Sequence, residues 1–141
     1  MQASARNQFS ATVQHINPGV VTDEIILTTD AGAELVATIT HGSAEKLGLK
    51  TGAKAIALIK APSIIVVTDA QGMCFSARNQ LAGTVTAVKT GSVNTEIQID
   101  AQGLQVVAIV THGSASSLGL KEGASATALF KASHVVLGVP V

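Results

Sequence analysis

Ser4-Ala5-Arg6-Asn7-Gln8 opens the chain's first regular stretch and returns letter for letter as Ser76-Ala77-Arg78-Asn79-Gln80. The motifs downstream of it return as well. Thr40-His41-Gly42-Ser43-Ala44 recurs as Thr111-His112-Gly113-Ser114-Ala115, Leu47-Gly48-Leu49-Lys50 as Leu118-Gly119-Leu120-Lys121, and Lys60-Ala61 as Lys131-Ala132. The 141 residues therefore read as two small units, 1–69 and 70–141, rather than one domain. The residues after Arg6 alternate: Phe9, Ala11, Val13 and His15 fall on one face, and Ser10, Thr12 and Gln14 on the other, which is strand periodicity over Asn7–Ile16.

Working outward, Asn17-Pro18-Gly19 is a turn, Glu24–Thr29 a second strand, Asp30-Ala31-Gly32 a hairpin and Glu34–Thr40 a third strand. Ser43 is expected to cap a short helix over Ala44–Leu47, with Glu45 in its first turn and Gly48 as its stop, burying Leu47 and Leu49. Ala53–Lys60 is a fourth strand with Ala55, Ala57 and Ile59 inward. Pro62 interrupts, and Ile64–Thr68 is a fifth strand, apolar on both faces and so expected to be covered on both. The second copy shortens its hairpin by one residue at Ala101-Gln102-Gly103. Asp69–Cys74 is too short for a free linker, so the units pack closely. Five strands with a helix between the third and fourth give an all-β chain of two tandem OB-like five-stranded barrels, each with one short helix.

Composition removes several function classes. The formal net charge is zero, which is unsuited to neutralising nucleic-acid phosphates. Three Phe and no Trp or Tyr leave no platform for stacking bases. One cysteine, Cys74, permits no internal disulfide and fits a reducing compartment. No apolar run is long enough to cross a bilayer and the N-terminus carries no secretory pattern, so a cytoplasmic protein is expected. The apolar content exceeds what two small cores can hide, which points to a homo-oligomer.

The basic residues found in both copies are Arg6/Arg78, Lys50/Lys121 and Lys60/Lys131, whereas Lys46, Lys54 and Lys89 have no counterpart. Glu24/Glu96 is the clear repeated acid pair. A guanidinium fork, a lysine, the hydroxyls of Thr40 and Ser43, and a helix start after Gly42 are parts that hold a tetrahedral dianion. The same residues also suit solvated strand ends and an ordinary helix cap. His41 and His112 lack partners at metal-ligand spacing. Ser43 and Ser114 lack a nucleophile elbow or an orienting acid, so no enzyme is expected.

Ser-Ala-Arg-Asn-Gln opening a strand, then Thr-x-x-Ser-x-x-x-Leu-Gly-Leu, then Lys-Ala-Pro-Ser resembles the molybdenum-binding Mop domain, and two such units resemble the di-domain molbindins. The likeness runs from Ser4 to about Val139, with no Walker motif or helix-turn-helix segment in the chain. It implies a cytoplasmic molybdate-binding protein of molybdenum storage and homeostasis, also able to take tungstate, that assembles as a trimer with anions held between subunits. A molybdate-sensing interaction module is the alternative. The implied first-copy contacts are Ser4, Ala5, Arg6, Asn7, Thr40, His41, Ser43, Lys60, Ala61 and Ser63. The second-copy contacts are Ser76, Ala77, Arg78, Asn79, Thr111, His112, Ser114, Lys131, Ala132 and Ser133. The copies differ where Lys60-Ala61-Pro62-Ser63 meets Lys131-Ala132-Ser133-His134, so their affinities are expected to differ.

Overall fold

A computed structural model describes residues 1–141. β1 (Asn7–Asn17), β2 (Thr22–Thr29) and β3 (Glu34–Thr40) form an antiparallel meander, followed by α1 (His41–Leu47), β4 (Lys54–Ile59) and β5 (Ile65–Val67). The second copy runs β6 (Asn79–Thr90), β7 (Asn94–Ala101), β8 (Leu104–Thr111), α2 (His112–Leu118), β9 (Ser125–Phe130) and β10 (Val136–Gly138). The result is two curled five-stranded antiparallel half-barrels, each with one helix, in the tandem OB-like arrangement that the element order predicts.

Alternation decides which residues enter the core. Phe9, Ala11 and Val13 are buried, as are Ala55, Ala57 and Ile59 on β4. His15 is not. The register of β1 against β2 shifts between Val13 and His15, and this bulge turns His15 to solvent. The equivalent shift lies between Val85 and Ala87. The deleted hairpin residue also has a local explanation. Gln102 (φ 53) and Gly103 (φ 82) form a two-residue turn with both residues left-handed, whereas the first copy spans Asp30–Ala33 with only Gly32 (φ 93) positive.

The helices begin earlier than Ser43 and Ser114. Thr40 is the N-cap, its hydroxyl accepting the Ser43 N–H at 3.1 Å, and Thr111 does the same for Ser114. Glu45 therefore lies beyond the first turn. Gly48 and Gly119 end the helices in the left-handed conformation (φ 64 and 63), as expected. Leu47 and Leu49 are half-buried rather than buried.

The fifth strands change partners. One sheet has the order β10-β4-β1-β2-β3 and the other β5-β9-β6-β7-β8. Ile65 pairs with Leu129, and Val136 with Leu58, so each half-barrel is completed by the last strand of the other copy. The chain has already crossed before these strands start. The 3-10 turn Ala61–Ser63 packs on β8, and Ala132–His134 packs on β3. A continuous core of 28 buried residues consequently runs through both halves. Each copy is too small to hold a large core alone, and sharing one removes that limit. The outer face of the exchanged strands is not covered as expected. Ile65 and Val136 are 61% and 60% exposed, because only Val66 and Leu137 point into the core.

Two asparagines stitch the halves together. Asn7 donates through Nδ2 to the Val107 carbonyl at 2.8 Å and accepts the Val107 N–H at 2.7 Å; it also donates to the Ile59 carbonyl at 3.2 Å. Asn79 exchanges the same pair of bonds with Val36, both at 2.8 Å. Each side chain thus satisfies one backbone N–H and one C=O of the other half in a dry setting, where unpaired groups are costly. Asn79→Ala is expected to lower the unfolding free energy by about 2–4 kcal/mol, since it strands both Val36 groups. Urea unfolding of the variant checks this, and an unchanged midpoint would show that the bridge is dispensable.

Candidate functional site

The buried asparagines set the direction of their neighbours. With Asn79 turned inward at the start of β6, opposite Phe130 at the end of β9, Arg78 is left outside. Ser76, Ala77 and Arg78 there line a cleft of about 430 Å³ together with Lys131, Ala132 and Ser133. The first copy contributes Thr38 from β3, and Ser63 and Ile65 from the exchanged segment, while Phe75 and Phe130 are apolar lining. Six residues implied for the second-copy set therefore meet, joined by Ser63 of the first-copy set.

A second groove of about 460 Å³ adjoins it, sharing Thr38 and Ser133. Thr40, Ser43 and Lys46 line this groove. Within one chain, then, the helix-start hydroxyls of the first copy meet Ser133 of the second rather than their own Lys60. The Thr40 hydroxyl donates to Ser43 Oγ at 2.7 Å while accepting the Ser43 N–H, so the two are mutually oriented. Arg78, Lys131 and Lys46 line the two grooves and no carboxylate does. The first N–H groups of the 3-10 turn at Ala132–His134 also lack partners within the turn. The arrangement favours an anion.

Other implied residues are not gathered. No cleft is lined by Ser4, Ala5, Arg6, Lys60 or Ala61. One difference is visible in the sequence, because Ala3 stands where Phe75 lines the second-copy cleft. Thr111, His112 and Ser114 are exposed at the start of α2 and line no cleft. The amides of Asn7 and Asn79 are buried and bonded to backbone of the opposite half, so neither side chain lines a groove.

The arginines have carboxylate partners on the other half. Arg78 Nη1 contacts Glu24 Oε2, and Arg6 Nη1 contacts Glu96 Oε1. Glu24 Oε1 accepts from Asn17 at 2.9 Å, which with Arg78 holds its carboxyl below the usual range. Burial would raise the Glu96 carboxyl, but Arg6 and Lys89 outweigh it and hold it low as well. His41 is also placed by two acids, Glu45 one helical turn on and Asp23 from β2, whose place beside the ring its sequence spacing did not announce. Its Nδ1 lies 2.9 Å from Asp23 Oδ1, and its Nε2 lies 3.1 Å from Glu45 Oε1. Thr95 and Ser116 occupy the equivalent positions around His112 and offer it no carboxylate.

Sequence reasoning missed Asp23, Thr38 and Lys46, and gave no role to Glu24 and Glu96. Only the last two carried a signal, as the one repeated acid pair. Thr38 and Lys46 enter through packing between copies, which no local pattern encodes.

Comparison with known proteins places these features in context. The TOBE domain model matches residues 3–66 and 76–137. The molybdenum-pterin-binding protein MopA of Rhodobacter capsulatus is 43% identical over 141 residues, covering 99% of this chain and 53% of its own length. The molybdenum transport protein ModE of Herbaspirillum seropedicae is 40% identical over 140 residues, covering 99% of this chain and 52% of its own length. The chain spans about half the length of the curated relatives it matches. A crystal structure of the cytoplasmic molybdate-binding protein ModG, with molybdate bound, is similar with a TM-score of 0.96 at 43% identity, covering 99% of this chain and 100% of that one.

The His41 pair has a definite pH signature. Asp23, by hydrogen bond and charge, raises the His41 pKa, while Asp23 itself is lowered first by the Gly19 N–H at 3.0 Å and then by His41. The imidazolium's contribution to stability is complete below the unfolded value of about 6.5 and is lost as pH rises through the higher folded value. The carboxylate's contribution is present above its unfolded value and is lost as pH falls through the lower folded one. NMR titration should give a His41 midpoint above about 6.5, and Asp23→Asn should bring it down. A midpoint indifferent to that substitution would show that Asp23 does not hold the ring.

Proposed function

Because the chain belongs to the TOBE-domain family, matched over both of its copies, we propose that it binds molybdate without turning it over. The observation that carries this reading is the cleft in which Arg78, Lys131, Ser76, Ser63, Ser133 and Thr38 converge from both copies with no carboxylate among them. Molybdate is a tetrahedral dianion. Arg78 offers it a planar fork, Lys131 a compact charge, and the hydroxyls and turn N–H groups neutral donors. Such donors offset the large cost of taking a dianion out of water. MopA and ModG, similar over 99% of this chain, are named for molybdenum or molybdate binding, which supports the assignment.

The role is molybdenum storage and homeostasis in the cytoplasm, and tungstate, with the same charge and shape, enters the same site. The protein works as a trimer. Exposed Ile65 and Val136 on the exchanged strands, and Val20, Val21 and Val93 at the β1–β2 and β6–β7 turns, supply apolar surface for subunit contacts. In that assembly Ser4, Ala5, Arg6, Lys60 and Ala61, together with Thr111, His112 and Ser114, complete further anion sites against a neighbouring chain. Asn7 and Asn79 serve by holding the backbone beside the arginines.

Equilibrium dialysis against molybdate followed by molybdenum analysis, with sulfate as control, tests the proposal. Bound molybdenum at substoichiometric free anion is expected, and none would overturn it. Light scattering should give three times the chain mass. Arg78→Ala should weaken uptake by about 10–100-fold, the worth of a hydrogen bond to a charged group. Molybdate at a hundredfold excess over its Kd should stabilise the fold by about 2.7 kcal/mol, seen as a higher melting temperature.

A further inference from the structure

The repeated acid pair remains outside the binding reading, although both of its members touch the arginines. We propose that Glu24 and Glu96 are positioning residues of the oxyanion sites, each aiming the arginine that the other copy contributes. This rests on the molybdate assignment above.

Glu24 lies on β2 and Glu96 on β7, and neither lines the cleft. Each reaches across to the other half: Glu24 to Arg78, and Glu96 to Arg6. The carboxylates are themselves held. Asn17 Nδ2 donates to Glu24 Oε1 at 2.9 Å, leaving Oε2 for the guanidinium. Glu96 is mostly buried, with Lys89 Nζ 3.5 Å from its Oε2. An arginine at a strand end, about half exposed as Arg78 is, would otherwise sample many rotamers. A fixed carboxylate on Nη1 selects one of them. It occupies a minority of the five guanidinium N–H donors and leaves the rest for an anion.

The charge of Glu24 also opposes the incoming dianion. The two effects separate on substitution. Alanine removes both the aim and the charge, whereas glutamine removes the charge and keeps one carbonyl acceptor for Arg78, with its amide N–H2 in place of the oxygen that accepts from Asn17. A purely structural ion pair, as exposed as this one, would contribute little to either stability or binding.

Calorimetric titration of the whole chain with sodium molybdate distinguishes these cases. Glu24→Ala is expected to weaken binding by about three- to tenfold, within the usual coupling between contacting side chains. Glu24→Gln should restore it and bind more tightly than the wild type. In an Arg78→Ala background, Glu24→Ala should add no further loss, because its effect runs through that arginine. Tightening by both single substitutions would show Glu24 to be only a competing charge and would overturn the proposal. So would no change in either, or an equal loss with and without Arg78. If the wild type itself takes up no molybdate, the binding assignment fails and this proposal with it. Wild-type binding with unaffected variants removes this proposal alone.

Discussion

The reciprocal insertion of Asn7 and Asn79 into the opposite half is the contact on which the remaining architecture depends. Each amide closes two hydrogen bonds to one residue of a strand more than forty positions away, Val107 for Asn7 and Val36 for Asn79. Buried backbone groups must be paired, so these bonds fix the distance and rotation between the half-barrels as well as adding stability. The exchanged fifth strands and the shared core follow the same geometry. The two copies fold as one body, although their sequences read as two.

The same contact directs the chemistry. An asparagine turned inward forces the preceding arginine outward, and there a glutamate of the other half receives it. A chain with zero net charge can therefore still present locally positive clefts, because the acids sit behind the arginines and not among the donors. His41 follows a similar rule. Its carboxylate partner Asp23 is 3% exposed and is held in turn by the Gly19 N–H, linking the β1–β2 turn to the start of α1.

Duplication has not left the copies equivalent. Thr95 replaces Asp23, and its buried hydroxyl has no hydrogen-bond partner. Lys89 replaces Asn17 beside the repeated glutamate, so Glu96 faces two cations and Glu24 one. Phe75 replaces Ala3 at the cleft. Each exchange alters charge or wall shape near an arginine or a helix start, so the two halves offer different surroundings to similar repeated side chains.

Strand positions, hairpin turns and helix stops were legible in the sequence because they depend on neighbours two to four residues apart. The alternation from Phe9 to Val13, the glycines after Leu47 and Leu118, and the shortened turn at Gln102-Gly103 are such cases. The site was half legible. The repeated arginines, lysines and hydroxyls announced an anion, and the resemblance in those motifs agreed with the family match. Which of them meet was not legible. Local periodicity does not say that Thr40 and Ser43 share a groove with Ser133, or that Ser63 joins Arg78. Nor does it reveal the bulge that turns His15 outward, since a bulge is a relation between two strands. The sequence by itself determined the elements and the inventory of repeated cationic and hydroxyl side chains, through propensity and residue type. Only the tertiary structure decided that the last strands cross over and that each arginine answers to the other copy's glutamate. Those contacts join residues far apart in the chain, and they are selected by the pairing of buried polar groups and the packing of one shared core.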